Sequence, residues 1–164
     1  MSQFNIREAR EQDVDNIFRM LKELAAYLKE PDAVKSTPET LRRDLQLYKC
    51  LVVEDLSNGE SSTKPLIGYA AYSDKFTMCD GRLTVLDNLF VAPEKRGKGI
   101  GTRLLDMVSK DAAANGCNGI EILAHGWNSR AMAFYKKRGA IDVTENKDWH
   151  YVQIPLKSQT KMDN

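Results

Sequence analysis

Apolar and polar residues alternate in "FNIRE" (residues 4–8), which predicts a short first strand. From Asp13 the period changes: Val14, Ile17, Phe18, Leu21, Leu24, Ala25 and Leu28 recur at helical spacing, predicting about four turns of helix that Pro31 stops. Thr37-Pro38 pairs a capping residue with a first-turn proline and starts a shorter helix through Leu41, Leu45 and Leu47. "CLVVED" and "LIGYAAYS" flank the polar "LSNGESSTKP" and read as an antiparallel hairpin with a long loop, followed by a longer strand, "RLTVLDNLFV". Leu104, Leu105, Met107, Val108 and Ala112 mark an amphipathic helix ending near Gly116, after which "GIEILA" returns to the sheet. Ser129 is read as the cap of "RAMAFYKKR", Gly139 as its end, and "AIDV" with "HYVQIPL" as a closing pair of strands. The expected class is α+β, a mixed sheet of about six to seven strands flanked by about four helices, in one domain over residues 1–156 with a tail at 157–164.

Composition narrows the function. The chain has 164 residues, 42% hydrophobic and 29% charged, enough to bury a core and still form a cleft. A net charge of +1 gives no global field for nucleic acid or an anionic membrane, so neither is expected as a partner. No apolar stretch has the length of a signal peptide core or a membrane span, and a cytoplasmic protein is expected. Cys50, Cys79 and Cys117 are odd in number and widely spaced, which points to reduced thiols and to no disulfide or metal framework. Two isolated histidines, His125 and His150, make no metal site and stand beside none of these cysteines in sequence.

The candidate chemistry lies in "NLFVAPEKRGKGIGTRLL" (88–105). Gly97, Gly99 and Gly101 precede or open a helix whose first N–H groups lack intrahelical acceptors, and Arg96 and Lys98 add positive charge; together they predict an anion cradle. A nucleoside-triphosphate loop fails on spacing, because Gly97-Lys98 is followed by Gly99. A dinucleotide fingerprint fails at Thr102, where it requires glycine. The pattern Arg/Gln-x-x-Gly-x-Gly/Ala is met by Arg96, Gly99 and Gly101, and here the sequence resembles the GNAT superfamily of acetyl-CoA-dependent N-acetyltransferases. "WNSRAMAFYKKRGA" (127–140) is similar to that family's second signature, while "FNIREA", "LKELAAY" and Trp149 resemble its diamine (spermidine/spermine) and thialysine branch.

The resemblance implies a GNAT fold with acetyl-CoA as co-substrate and no metal. The CoA pyrophosphate would lie on Arg96, Gly97, Lys98, Gly99, Ile100, Gly101 and Thr102, and the acetyl and pantetheine arm along the backbone of Leu89, Phe90 and Val91. Asn128, Ser129, Arg130 and Ala131 would stand near the CoA arm, and Tyr135 would be the acid that protonates the departing thiolate. A tyrosine, with an ordinary pKa of about 10, is protonated at neutral pH and suits that task. Read from the pattern alone, Tyr135 is better taken as an ordinary half-buried aromatic on an amphipathic helix, and it is the match to the family's general acid that reverses this preference.

Asp87 interrupts the apolar run of "VLDNLF", where a buried lone carboxylate would be costly, and it occupies the position at which diamine acetyltransferases carry a Glu that meets the amine. The alternative is a carboxylate satisfied by backbone or by a neighbouring Arg such as Arg82. Glu121 is the reserve acid, and the resemblance implies a substrate wall at Ile122 and Leu123, with Tyr27 as a further amine contact. Leu28 stands where the diamine enzymes carry an acid, and Lys29 follows it, so a short amine is expected to be preferred over spermine. The resemblance also implies a homodimer. A peptide acetyltransferase and a non-catalytic CoA-binding regulator are the competing readings.

Overall fold

The computed structural model describes residues 3–57, 64–147 and 151–152. Contacts divide the chain into a unit up to Leu123 and a unit from Ala124 onward.

The first unit is built on a five-stranded sheet in sequence order: β1 (Phe4–Glu8), β2 (Lys49–Asp55), β3 (Leu66–Thr77), β4 (Gly81–Val91) and β5 (Ile120–Ile122). The first four are joined antiparallel, and β5 lies parallel to β4. A parallel neighbour requires a crossover, and α3 (Ile100–Ala114) supplies it. Helix α1 (Val14–Tyr27) and the short α2 (Pro38–Arg43) lie between β1 and β2 in sequence. Thr37 caps α2 as its sequence predicts, its hydroxyl accepting from the Thr40 N–H.

Alternation along the strands gives the sheet two apolar faces. Tyr69, Phe90, Cys50, Val52 and Leu66 pack with Ile17 and Met20 of α1. The intervening residues Leu51, Val53, Ala70, Tyr72 and Leu86 are also buried, and α3, with Ile100, Leu104, Leu105, Val108 and Ala112 buried, packs on β3 and β4. Helices on both faces explain why the middle strands are apolar on both sides.

Helix α1 ends in a Schellman motif: the Glu30 N–H donates to the Ala25 carbonyl (2.9 Å) and the Lys29 N–H to the Ala26 carbonyl (3.1 Å). Lys29 takes the left-handed position with φ of 63°, where glycine is usual. The helix therefore stops before Pro31.

The second unit contains α4 (Ser129–Lys136) and α5 (Val143–Lys147). Two sequence expectations are corrected here. The cap of α4 is Asn128, whose Oδ1 accepts from the Ala131 N–H (3.2 Å), and Ser129 is the first helical residue. "AIDV" is not a strand: Asp142 Oδ1 accepts from the N–H groups of Thr144 (3.1 Å) and Glu145 (3.4 Å), which starts α5. Asp142-Val-Thr-Glu145 has the spacing of a capping box, and that local signal wins over a short alternation. Tyr151 and Val152 are not in a strand, and the rest of "HYVQIPL", with the tail from 157, lies outside the described residues. Among the described residues the sheet thus has five strands, where about six to seven are expected.

Candidate active site

Strand β4 changes character at Asp87. Register with β3 shifts between Ala71 and Tyr72, which oppose Asn88 and Leu86, so Asp87 is the extra residue of a β-bulge. Upstream of it, even-numbered residues turn their backbone toward β5: the Thr84 N–H donates to the Gly119 carbonyl (3.0 Å) and the Arg82 carbonyl accepts from the Asn118 N–H (2.8 Å). Downstream the parity is reversed, because the Ala92 N–H donates to the Ile67 carbonyl (2.9 Å) on the β3 side. Antiparallel pairs alternate, so Phe90 bonds toward β3 while Leu89 and Val91 turn outward.

On that outward side β5 pairs with β4 only from Thr84 to Leu86. Among the described residues, the N–H groups of Leu89 and Val91 are therefore ladder donors without a neighbouring strand. The Val91 carbonyl accepts from Arg96 Nε (2.8 Å). Of the three backbone positions that the sequence marks, Phe90 is the one whose amide faces the interior, and its side chain is core at 2% exposure.

The free edge runs into the glycine loop. Gly97 and Gly99 have φ of 79° and 78°, a conformation that side chains disfavour. A Cβ built on either one would meet nothing within 4 Å, so the space beside both is open. Gly99 is the N-cap of α3, whose next residues are the buried Ile100, then Gly101 and Thr102, in a first turn with unsatisfied N–H groups. Lys98 is exposed. Arg96 is held at both ends, its guanidinium lying 5.1 Å from the centre of the Tyr27 ring while its Nε bonds Val91. The donor set, open backbone and 15-residue helix suit a pyrophosphate.

Asp87 is exposed at the bulge. This corrects the expectation of a carboxylate among apolar neighbours: the bulge turns it out of the sheet. Its Oδ2 accepts from Asn88 Nδ2, and Asn88 Oδ1 accepts from the hydroxyl of the buried Tyr69 (3.0 Å). Arg82 is not its partner, because that guanidinium donates to the Asn115 carbonyl (3.1 Å). Glu121 faces Val85 in register and pairs with Lys75 (2.6 Å), so its charge is already compensated. Ile122 is half-buried and Leu123 exposed; Tyr27 and Leu28 stand at the end of α1, with Tyr27 beneath Arg96.

In the second unit, Tyr135 packs edge-on to Phe134 (5.2 Å), and burial raises its hydroxyl above the ordinary tyrosine value. Asn128 and Ala131 are joined by the cap described above, with Ser129 and Arg130 exposed between them. His125 stacks on Trp127 (5.5 Å). Burial pushes the Cys50 thiol up to about 12, which keeps it from acting as a nucleophile at neutral pH. Cys117 lies against Asp74 Oδ1 (3.7 Å), and Cys79 is exposed. Among the described residues no group of three or more His, Cys, Asp or Glu could hold a metal ion, and no helix is long and apolar enough to cross a membrane.

Sequence reading missed three participants. Gly68 opposes Val91, and a Cβ there would stand 2.8 Å from the Phe90 carbonyl oxygen, so the strands meet too closely for a side chain. Nothing in the sequence assigns a role to Asn88 or Tyr69, although two adjacent polar residues in "VLDNLF" break strict alternation where the bulge lies.

Residues 16–140 match the acetyltransferase (GNAT) family. The chain is 41% identical over 150 residues to thialysine N-epsilon-acetyltransferase of Bos taurus, covering 88% of each. It is 32% identical over 154 residues to spermidine/spermine N(1)-acetyltransferase-like protein 1 of Homo sapiens, covering 92% of this chain and 22% of that longer protein. An aminoglycoside acetyltransferase structure from an uncultured soil metagenomic sample superposes with a TM-score of 0.71 at 19% identity, over 96% of this chain and 100% of that one, a likeness of fold. A β4 edge that outruns the short β5, an open glycine loop and these relatives converge: the chain is an acetyltransferase of the GNAT family, in its thialysine and spermidine/spermine branch.

Proposed function

We propose that this enzyme transfers the acetyl group of acetyl-CoA directly to the primary amine of a small molecule: a diamine, a polyamine or a thialysine-like amino acid. The observation that carries the reading is the free edge of β4, whose Leu89 and Val91 amides lead into the open cradle at Gly97 and Gly99. GNAT acetyltransferases use acetyl-CoA, which supplies an activated thioester. The names of the relatives support a small amine as acceptor.

Each chemical need has a candidate. The outward amide of Leu89 donates to the thioester carbonyl oxygen and stabilises the negative charge that develops there; Val91 holds the arm beyond it. Gly97 through Thr102 bind the pyrophosphate with backbone N–H groups, aided by Lys98 and the outer nitrogens of Arg96. Asn128 and the first turn of α4 bind the CoA arm. Asp87 accepts the proton that the amine loses as it attacks, with Glu121 in reserve and Tyr27, Leu28, Ile122 and Leu123 lining the amine side. Tyr135 donates a proton to the thiolate as the C–S bond breaks; its raised pKa keeps that proton in place at neutral pH. The inert Cys50 supports direct transfer within a ternary complex rather than an acylated enzyme.

Residues 1–156 are proposed as the catalytic domain of a cytoplasmic homodimer, which sedimentation at working concentration tests. Free-thiol release from acetyl-CoA across 1,3-diaminopropane, thialysine, spermidine and spermine tests the acceptor. We expect the short amines to be favoured; efficiency that climbs with each added ammonium contradicts this. Tyr135→Phe should lower turnover by roughly 10² to 10⁴ with acetyl-CoA affinity retained, and turnover near wild type returns Tyr135 to packing.

A further inference from the structure

The bulge that turns Asp87 outward is tied to the core by a one-way chain of hydrogen bonds. A carboxylate only accepts, so Asn88 must present its amino group to Asp87. The amide carbonyl oxygen is then left facing Tyr69, and the tyrosine must donate. A reversed amide would set oxygen against oxygen at one end and leave the buried hydroxyl facing an N–H at the other. Tyr69 cannot swing away: it is 1% exposed and packed against Phe90, Ile17, Met20 and Val52.

From this we infer that Asn88, anchored by Tyr69, is a positioning residue for Asp87: it holds Oδ2 in place and leaves Oδ1 to meet the amine. An amide does not pass a proton along, so Asp87 exchanges protons only with the cleft side. Neither Asn88 nor Tyr69 touches the reacting atoms. The inference rests on the reading of Asp87 as the group that meets the amine.

The test is a set of paired variants, measured on whichever of thialysine, 1,3-diaminopropane and spermidine the wild type acetylates fastest. Asn88→Leu should lower kcat about tenfold to a hundredfold, the size expected when a reacting group is displaced by about an ångström. Acetyl-CoA affinity by calorimetry should stay within about twofold. Tyr69→Phe, which preserves volume, should reproduce part of this loss and add nothing in the Asn88→Leu background, because the hydroxyl acts through the amide. The decisive pair is Asn88→Leu in an Asp87→Asn background, where no carboxylate remains to be positioned and no further loss in kcat is expected. An equal fold-loss in both backgrounds overturns the inference, since a purely structural Asn88 would behave that way while Asp87 kept its role. Wild-type kcat for Asp87→Asn alone overturns the reading of Asp87 and this inference with it.

Discussion

Gly68 and Gly99 lie at opposite ends of one argument about missing side chains. At Gly68 the backbone is extended and the space is filled: a Cβ would press on the Phe90 carbonyl oxygen at 2.8 Å. At Gly99 the space is empty, while the backbone, at φ of 78°, is one that a side chain disfavours. The first glycine is explained completely by the protein around it. The second has no neighbour to explain it, so its reason is the left-handed backbone it supplies before α3. A glycine required by its neighbours and a glycine required by its own backbone conformation are thus told apart by where the absent atom would go; Gly116 and Gly139, at helix ends, share the open space and positive φ of Gly99.

Substitution should separate the two sharply. Gly99→Val puts a branched side chain into the loop at a position whose Cβ would meet nothing within 4 Å, so acetyl-CoA affinity should fall more than a hundredfold, about 2.7 kcal/mol. Stability should fall by only about 1–2 kcal/mol, from backbone strain. Calorimetry on a folded variant with unchanged affinity would break the distinction. Gly68→Ala should do the reverse, costing about 1–3 kcal/mol in denaturant unfolding through overpacking, with acetyl-CoA affinity of the folded protein kept. The smallest effect belongs to Lys29, the non-glycine with positive φ among the described residues. Lys29→Gly should stabilise by about 1 kcal/mol by relieving that strain; a lower melting temperature would show that the lysine side chain contributes more than its backbone costs.

Much of this architecture is legible along the chain, for physical reasons that also explain the exceptions. β1 and α1 are read directly, because period 2 and period 3.6 each persist over several residues with a clear stop. The loop before α3 is legible because its glycines stand where the chain turns left-handed ahead of a run at helical spacing. α5 is obscured because "AIDV" is too short for its alternation to outweigh the Asp142 cap. The bulge is visible only as Asp87-Asn88, two polar neighbours, and nothing in the sequence says that Tyr69, nineteen residues away, holds the second of them. Gly68 hides for the same reason: its neighbour is Phe90, brought near only by pairing. Local signals are carried by contiguous residues, whereas the site depends on contacts between strands.

The bulge at Asp87 also shows what a change of length does within a strand. One extra residue exposes the carboxylate, and the outward amides fall at even positions before it and at odd positions after it. Deleting Asp87 would restore regular pairing, because Leu86 and Asn88 already oppose the adjacent Tyr72 and Ala71; Leu89 and Val91 would still face outward, and only the exposed carboxylate would be lost. The bulge therefore presents Asp87 without disturbing the direction of the backbone amides that follow it. A carboxylate is thus added to the strand as an insertion, beside a ladder that is complete without it.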